Sequence, residues 1–159
     1  MSDPPATVRL ASPGDVETLV LLTRSIHELH AQAKPDYFQP YDAETLREWY
    51  REFLEQDEEK LWIASVDGVA VGFVSATRRV REANVFLRGR EFNSLTVEPS
   101  FRRRGIGRLL LQAAIAEGRA QGFETVELST WWFNEDARVA FQKLGFEPQL
   151  VRSALGKPG

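Results

Sequence analysis

Apolar positions recur along this chain with two different periods, and the switches between them predict the order of its elements. Thr7 to Ala11 reads as a short strand, and Ser12-Pro13-Gly14-Asp15 after it has the composition of a turn and helix cap. Leu19, Leu22, Ile26 and Leu29 then recur at helical spacing, predicting a helix to about Ala33 that ends before Pro35. Asp42 to Glu55 repeats that signature with Leu46, Trp49, Tyr50 and Phe53. The period then shortens. Leu61 to Val66 and Val69 to Thr77 are apolar and β-branched, and Asp67-Gly68 between them predicts a hairpin. Phe92 to Val97 is a further strand, expected to pair with the Val69 strand. Gly105 to Gln121 returns to helical spacing, with Ile106, Leu109, Leu110, Ala113 and Ala114 on one face and Gly122 at its end. Thr125 to Thr130 reads as a strand, Asp136 to Leu144 as a short helix closed by Gly145, and Phe146 to Leu155 as a returning final strand.

The strand, helix, strand run from Phe92 to Thr130 implies a right-handed parallel crossover within a mixed sheet, and ligands of such sheets bind beyond the carboxyl ends of the parallel strands. No repeat or low-complexity tract divides the 159 residues, so a single domain over 1–159 is expected. No apolar run approaches the length of a membrane span, and the N-terminal MSDPPATVRLAS lacks the pattern of a signal peptide, so a cytoplasmic location without membrane contact is expected. The chain has no cysteine, which removes disulfides, thiolate metal sites and a cysteine nucleophile.

Formal net charge is −3, which does not favour nucleic acid as a partner. Arginines nevertheless cluster at Arg78, Arg79 and Arg81, at Arg88 and Arg90, and at Arg102, Arg103 and Arg104, with Arg108 one turn later. A focused basic site on an acidic chain suits a small, multiply phosphorylated ligand. The third cluster leads into Gly105-Ile106-Gly107 at the start of a helix. Glycines there admit close approach to the backbone, and the unpaired N–H groups of the first turn, with the positive end of the helix dipole, attract phosphate oxygens. A P-loop would need Gly-Lys-Ser/Thr, which is absent, and the dinucleotide fingerprint would need a glycine where Leu110 stands.

What remains is [R/Q]xxGxG after a strand ending Leu95-Thr96-Val97-Glu98-Pro99. The segment LTVEPSFRRRGIGRLLL resembles the coenzyme A pyrophosphate loop of the GNAT superfamily of acyl-CoA N-acyltransferases. The downstream VELSTWWFNEDARVAFQKLGFEP is similar to that family's next strand and helix, so the resemblance covers nearly the whole chain. It implies an α+β fold (mixed α/β): a central mixed, mostly antiparallel sheet with a splayed parallel strand pair, flanked by helices on both faces. It also implies transfer of an acetyl group from acetyl-CoA, as co-substrate, directly to a primary amine of a small molecule or peptide. The alternatives are another acyl-CoA, or a non-catalytic acyl-CoA-binding sensor. A homodimer is implied by family habit.

Carried over residue by residue, the resemblance gives Leu95 and Val97 to the pantetheine arm through their backbone. It gives Arg102, Arg103, Arg104, Gly105, Ile106 and Gly107 to the pyrophosphate, and Asn134 to the cofactor's arm, where an ordinary N-cap is the competing role. Glu91 becomes the candidate base for the acceptor amine, and the Val97 N–H the donor to the thioester oxygen. The family's thiolate-protonating tyrosine is Phe141 here, which cannot donate a proton, so that role is empty, moved to a neighbour such as Ser129, or left to water. The acceptor is expected among His27, His30, Tyr37, Phe38, Tyr41, Trp131 and Trp132. His27 and His30 lack a third ligand, so no metal is expected.

Overall fold

The computed structural model describes residues 5–80 and 88–156, with the backbone alone at 79–80 and 88–93. Arg81 lies outside the described residues, as do the side chains of Arg79, Arg88, Arg90 and Glu91. The chain forms two compact units, Met1–Ser129 and Thr130–Gly159.

The first unit contains β1 (Ala6–Leu10), a 3-10 turn (Pro13–Asp15), α1 (Val16–Ala33), α2 (Ala43–Glu55), β2 (Lys60–Val66), β3 (Val69–Val80), β4 (Arg88–Val97), a second 3-10 turn (Pro99–Phe101), α3 (Ile106–Ala120) and β5 (Thr125–Leu128). The entry to α1 is fixed chemically. Ser12 N and Ser12 Oγ both donate to Asp15 Oδ2, and Arg9 forks onto the same carboxylate at 2.8 and 2.7 Å. That guanidinium, with the Ser12 bonds, pulls the Asp15 pKa down to about 2. Asp42 caps α2 by accepting from Glu44 N at 3.0 Å. Asp67 and Gly68 both have positive φ, 50° and 77°, as a two-residue hairpin turn requires.

Five strands form one sheet in the order β1-β2-β3-β4-β5. All neighbours are antiparallel except β4 and β5, which run parallel. Alternation along β2 and β3 sends Leu61, Ile63 and Phe73 to one face. There they pack with Val16, Leu19, Val20 and Leu22 of α1 and Tyr50 and Phe53 of α2 in one buried cluster. α3 covers the opposite face with Ile106, Leu110, Leu111 and Ala114, all buried. Burial of these side chains, at about 1.5–3 kcal/mol each, drives the layering. β3 and β4 pack unusually closely at Gly72, where a Cβ would lie 2.6 Å from the Thr96 carbonyl oxygen.

In the second unit α4 (Glu135–Lys143) is capped by Asn134, whose Oδ1 accepts from Ala137 N at 3.3 Å. The final strand expected over Phe146–Leu155 is not formed, and residues 146–156 are irregular. Leu150, Val151 and Leu155 are 87%, 70% and 100% exposed. Pro148 removes a ladder donor, and the apolar residues do not alternate, so no single face could be buried.

Candidate functional site

The parallel pair is short. β4 pairs with β5 only from Gly89↔Thr125 to Phe92↔Leu128, while β4 itself continues to Val97. On its other side β4 remains paired with β3, but the register jumps from Ala76↔Phe92 to Ser75↔Ser94, leaving Asn93 as an extra residue. A bulge of this kind bends its strand. It falls where β4 and β5 stop pairing, and the resulting separation leaves the edge of Asn93 to Val97 without a β5 partner.

Which backbone groups face that edge follows from strand alternation. Glu98 N donates to Val71 O at 2.8 Å, so the N–H of residue 98 points toward β3. Successive amides point to opposite sides, so Leu95 and Val97 direct theirs to the open edge. The Val97 carbonyl on that edge is already engaged, accepting from Arg102 Nε at 2.9 Å. Arg102 therefore ties the loop after β4 back onto the strand it leaves.

That loop is held by Phe101 N to Glu98 O at 2.9 Å, and it turns into α3 through two left-handed residues, Arg103 (φ 64°) and Gly105 (φ 76°). Gly105 is the N-cap. Leu109 N is the first to bond back into the helix, to Gly105 O at 3.1 Å. Among the described residues the N–H groups of Ile106, Gly107 and Arg108 have no acceptor. The two glycines meet different demands. Gly105 has the positive φ, whereas Gly107 is helical, and a Cβ on it would sit 3.8 Å from Leu95 Cδ2, an ordinary contact. Neither backbone strain nor internal packing requires glycine at 107, which points to a molecule outside the chain as the reason for its small size.

Charge supports an anion at this terminus. α1, α2 and α4 each carry an acid in the first turn, namely Glu17, Glu44, and Glu135 with Asp136. α3 has none, and exposed Arg102, Arg103, Arg104 and Arg108 surround its start instead. Cations at the positive end of a helix dipole are unfavourable by about 0.3–1 kcal/mol each, unless an anion sits between them. Arg104 also lies over the Phe101 ring at 5.1 Å, which holds its guanidinium near the loop.

The connection between α1 and α2 gathers the other predicted residues of this unit. Phe38 stacks on His30 at 5.2 Å and meets Tyr37 at 5.2 Å and His27 at 6.5 Å edge-on. His27 Nε2 bonds Gln39 O at 2.7 Å, and its ring lies 5.9 Å from that of Tyr41, whose hydroxyl donates to Val20 O. Burial first, and then the neighbouring His27, lower the His30 pKa. The cluster anchors the connection to α1, and Tyr37 remains 67% exposed. Glu91 lies on β4 between Thr77 of β3 and Glu127 of β5. In the second unit Trp131 stacks with Phe133 at 5.9 Å, and Arg138 lies over Trp132 at 4.2 Å. Phe141 packs edge-on against Phe146 at 6.2 Å. Among the described residues no cluster of three or more His, Asp or Glu is placed to hold a metal, and no helix is long and apolar enough to cross a membrane.

Two features had no counterpart in the sequence reading. One is the bond that engages the hydroxyl of buried Tyr50, 2.6 Å from Thr23 Oγ1, with desolvation pushing the Tyr50 pKa up to about 12. Ser75 and Thr96 are also buried. Their positions inside apolar runs offered no signal.

Comparison with known proteins points the same way. The acetyltransferase (GNAT) family profile matches residues 23–146. An uncharacterized N-acetyltransferase of Methanocaldococcus jannaschii is 32% identical over 108 residues, 65% of this chain and 46% of that protein, so the match spans less than half of that relative. Aminoglycoside N(6')-acetyltransferase type 1 of Salmonella typhimurium is 35% identical over 103 residues, 60% of this chain and 68% of that protein. In structure, a tetramutant of the BH1408 protein of Bacillus halodurans superposes with TM-score 0.88 at 20% identity, over 95% of this chain and 99% of that one. An aminoglycoside N-acetyltransferase in complex with CoA gives TM-score 0.77 at 23% identity, over 98% and 97% of the two chains.

Proposed function

Because this chain belongs to the acetyltransferase (GNAT) family, we propose that it transfers an acetyl group from acetyl-CoA to a primary amine of a small molecule or peptide. The observation that carries the reading is the pairing of an acid-free, glycine-opened α3 terminus with the partnerless edge of β4 just before it. The diphosphate of coenzyme A fits the first, through the N–H groups of Gly105 to Gly107 and the guanidinium groups of Arg103 and Arg104. Arg102 acts in part through the strand, since its Nε is spent on the Val97 carbonyl. The pantetheine arm, which carries amides, fits the second as a strand-like partner of Leu95 and Val97. In the second unit Asn134 caps α4 through Oδ1, and its amide nitrogen takes no part in that cap.

The chemistry then needs few reactive groups. An acceptor ammonium with pKa about 10.4 costs roughly 4–5 kcal/mol to deprotonate at pH 7, and Glu91 on β4 is the proposed base. The neutral amine attacks the thioester carbon, and the carbonyl oxygen gains negative charge that the Val97 N–H stabilises. Collapse expels the thiolate of coenzyme A while the nitrogen loses its extra proton to solvent, leaving a neutral amide. Phe141 cannot protonate the thiolate, and Tyr50 is buried in the α1–α2 core with its hydroxyl on Thr23, so water or Ser129 takes that part. A thiol pKa near 8.5 makes the thiolate a tolerable leaving group. The acceptor site of the first unit is proposed along His27, His30, Tyr37 and Phe38. The aminoglycoside acetyltransferases among the relatives put aminoglycosides first on an acceptor panel, followed by polyamines, amino acids and peptides. Purified protein should release free thiol from acetyl-CoA with at least one class. Tight cofactor binding without turnover on any acceptor would refute the transfer reaction and leave an acyl-CoA sensor.

A further inference from the structure

Of the 20 basic residues in the chain only four are lysines, Lys34, Lys60, Lys143 and Lys157, and the rest are arginines. A guanidinium keeps its proton and does not attack a thioester, whereas a lysine becomes a nucleophilic primary amine once it loses one. The four are not equivalent. Lys60 begins β2 opposite Ala76, Lys143 ends α4 in the second unit, and Lys157 lies outside the described residues. Lys34 stands on the connection between α1 and α2. Lys34 N donates to His30 O at 2.9 Å, ending α1, and Lys34 O accepts from Tyr37 N at 3.0 Å and from Phe38 N at 3.2 Å. Its backbone is therefore bonded to three of the four residues proposed to line the acceptor. The residue is exposed, and its Nζ lies over the Tyr37 ring, 5.6 Å from the centroid. Such a contact, worth about 0.5–1 kcal/mol at an exposed site, keeps the amine at the cluster.

We propose that Lys34 is a modification site, and that in the absence of an acceptor the chain acetylates its own Lys34 Nζ from acetyl-CoA. The inference rests on the amine-transfer reading and on the acceptor's place at this connection. The Lys34 ammonium gives one proton to solvent, and the freed electron pair forms the bond from Nζ to the thioester carbon. The carbon–sulfur bond breaks with its electrons on sulfur, and the second proton lost by nitrogen ends on that thiolate. The products are a neutral amide and free coenzyme A thiol, with no other reactant needed. A tethered amine has an effective concentration on the order of millimolar, so an acceptor in solution prevails only by binding well enough to displace it. Acetylation removes the charge that holds Nζ over Tyr37, and leaves a neutral amide beside the acceptor cluster.

Mass spectrometry tests it directly. Purified protein incubated with acetyl-CoA alone should gain one acetyl group per chain, and peptide fragmentation should place it on Lys34. Lys34→Arg, which keeps the charge over Tyr37, should abolish the gain. The wild-type rate should stay constant over about a hundredfold range of protein concentration and fall about tenfold or more with a saturating acceptor from the panel. Equal labelling of Lys34, Lys60 and Lys143, or labelling of heat-unfolded protein at the folded protein's rate, would mark unassisted chemical acetylation and overturn the proposal. A rate that rises with protein concentration would make Lys34 the substrate of another copy and overturn it as well. If a panel acceptor is acetylated while Lys34 stays unmodified in its absence, the transfer reading stands and this proposal falls. If neither Lys34 nor any acceptor is acetylated, the transfer reading fails and the proposal with it.

Discussion

Replacing each glycine of the α3 loop by alanine should separate folding from binding. Gly105 is left-handed at φ 76°, with open space where a Cβ would go, so Gly105→Ala suffers only the backbone penalty of about 1–2 kcal/mol. For a chain of this length that lowers the melting temperature by about 2–8 °C. Gly107→Ala meets no such penalty. Its methyl would rest 3.8 Å from Leu95 Cδ2, and alanine favours the helix by up to about 1 kcal/mol, so the free protein should be as stable as wild type or more so. Coenzyme A is where the order reverses. A methyl over the N–H groups of the first turn keeps the diphosphate from closing on them, and losing one charge-assisted hydrogen bond of about 1.5–3 kcal/mol weakens binding about tenfold or more. Thermal melts with and without coenzyme A give both numbers in one series. If Gly107→Ala binds coenzyme A like wild type, the external reason inferred for that glycine is wrong.

Gly72→Ala forces a methyl to 2.6 Å from a backbone oxygen that cannot yield without parting β3 from β4, and should cost about 3 kcal/mol by denaturant titration; a loss below about 0.5 kcal/mol would mean the strands can separate freely. The Asp15 pKa is depressed chiefly by Arg9, so this pair stabilises the fold fully above about pH 4 and loses its contribution as pH falls through about 2. With the exposed guanidinium screened by solvent, that amounts to about 1 kcal/mol, and Arg9→Ala should flatten the acid limb of the stability curve by this much. Glu91→Gln should slow turnover mainly below the acceptor amine's pKa, and an unaltered pH–rate profile would remove Glu91 from the mechanism.

Local chemistry made some features legible and hid others. The Asp67-Gly68 turn, the Asp42 cap and the glycine-opened start of α3 were readable because each depends on residues adjacent in the chain. Asn134 was readable as an N-cap, and that cap forms. Features set by the partner strand were not readable. The bulge at Asn93 exists only relative to β3, so nothing in Glu91-Phe92-Asn93-Ser94 announces it. β4 begins at Arg88, four residues before the apolar run that suggested it, because pairing with β3 and β5 carries Arg-Gly-Arg into the sheet. The expected Phe146 strand rested on apolar content without alternation, and Pro148 was the signal against it. Ser75 and Thr96 sit within runs that read as core, and only their burial without a partner sets them apart.

The central claim is that α3's first turn grips a diphosphate. The direct test is calorimetric titration of the purified protein with coenzyme A and, in parallel, with pantetheine, which has the arm but no diphosphate. Strong heat with coenzyme A and binding weakened at least a hundredfold with pantetheine is the predicted result. Equal affinity for the two, or no heat with coenzyme A, would contradict it.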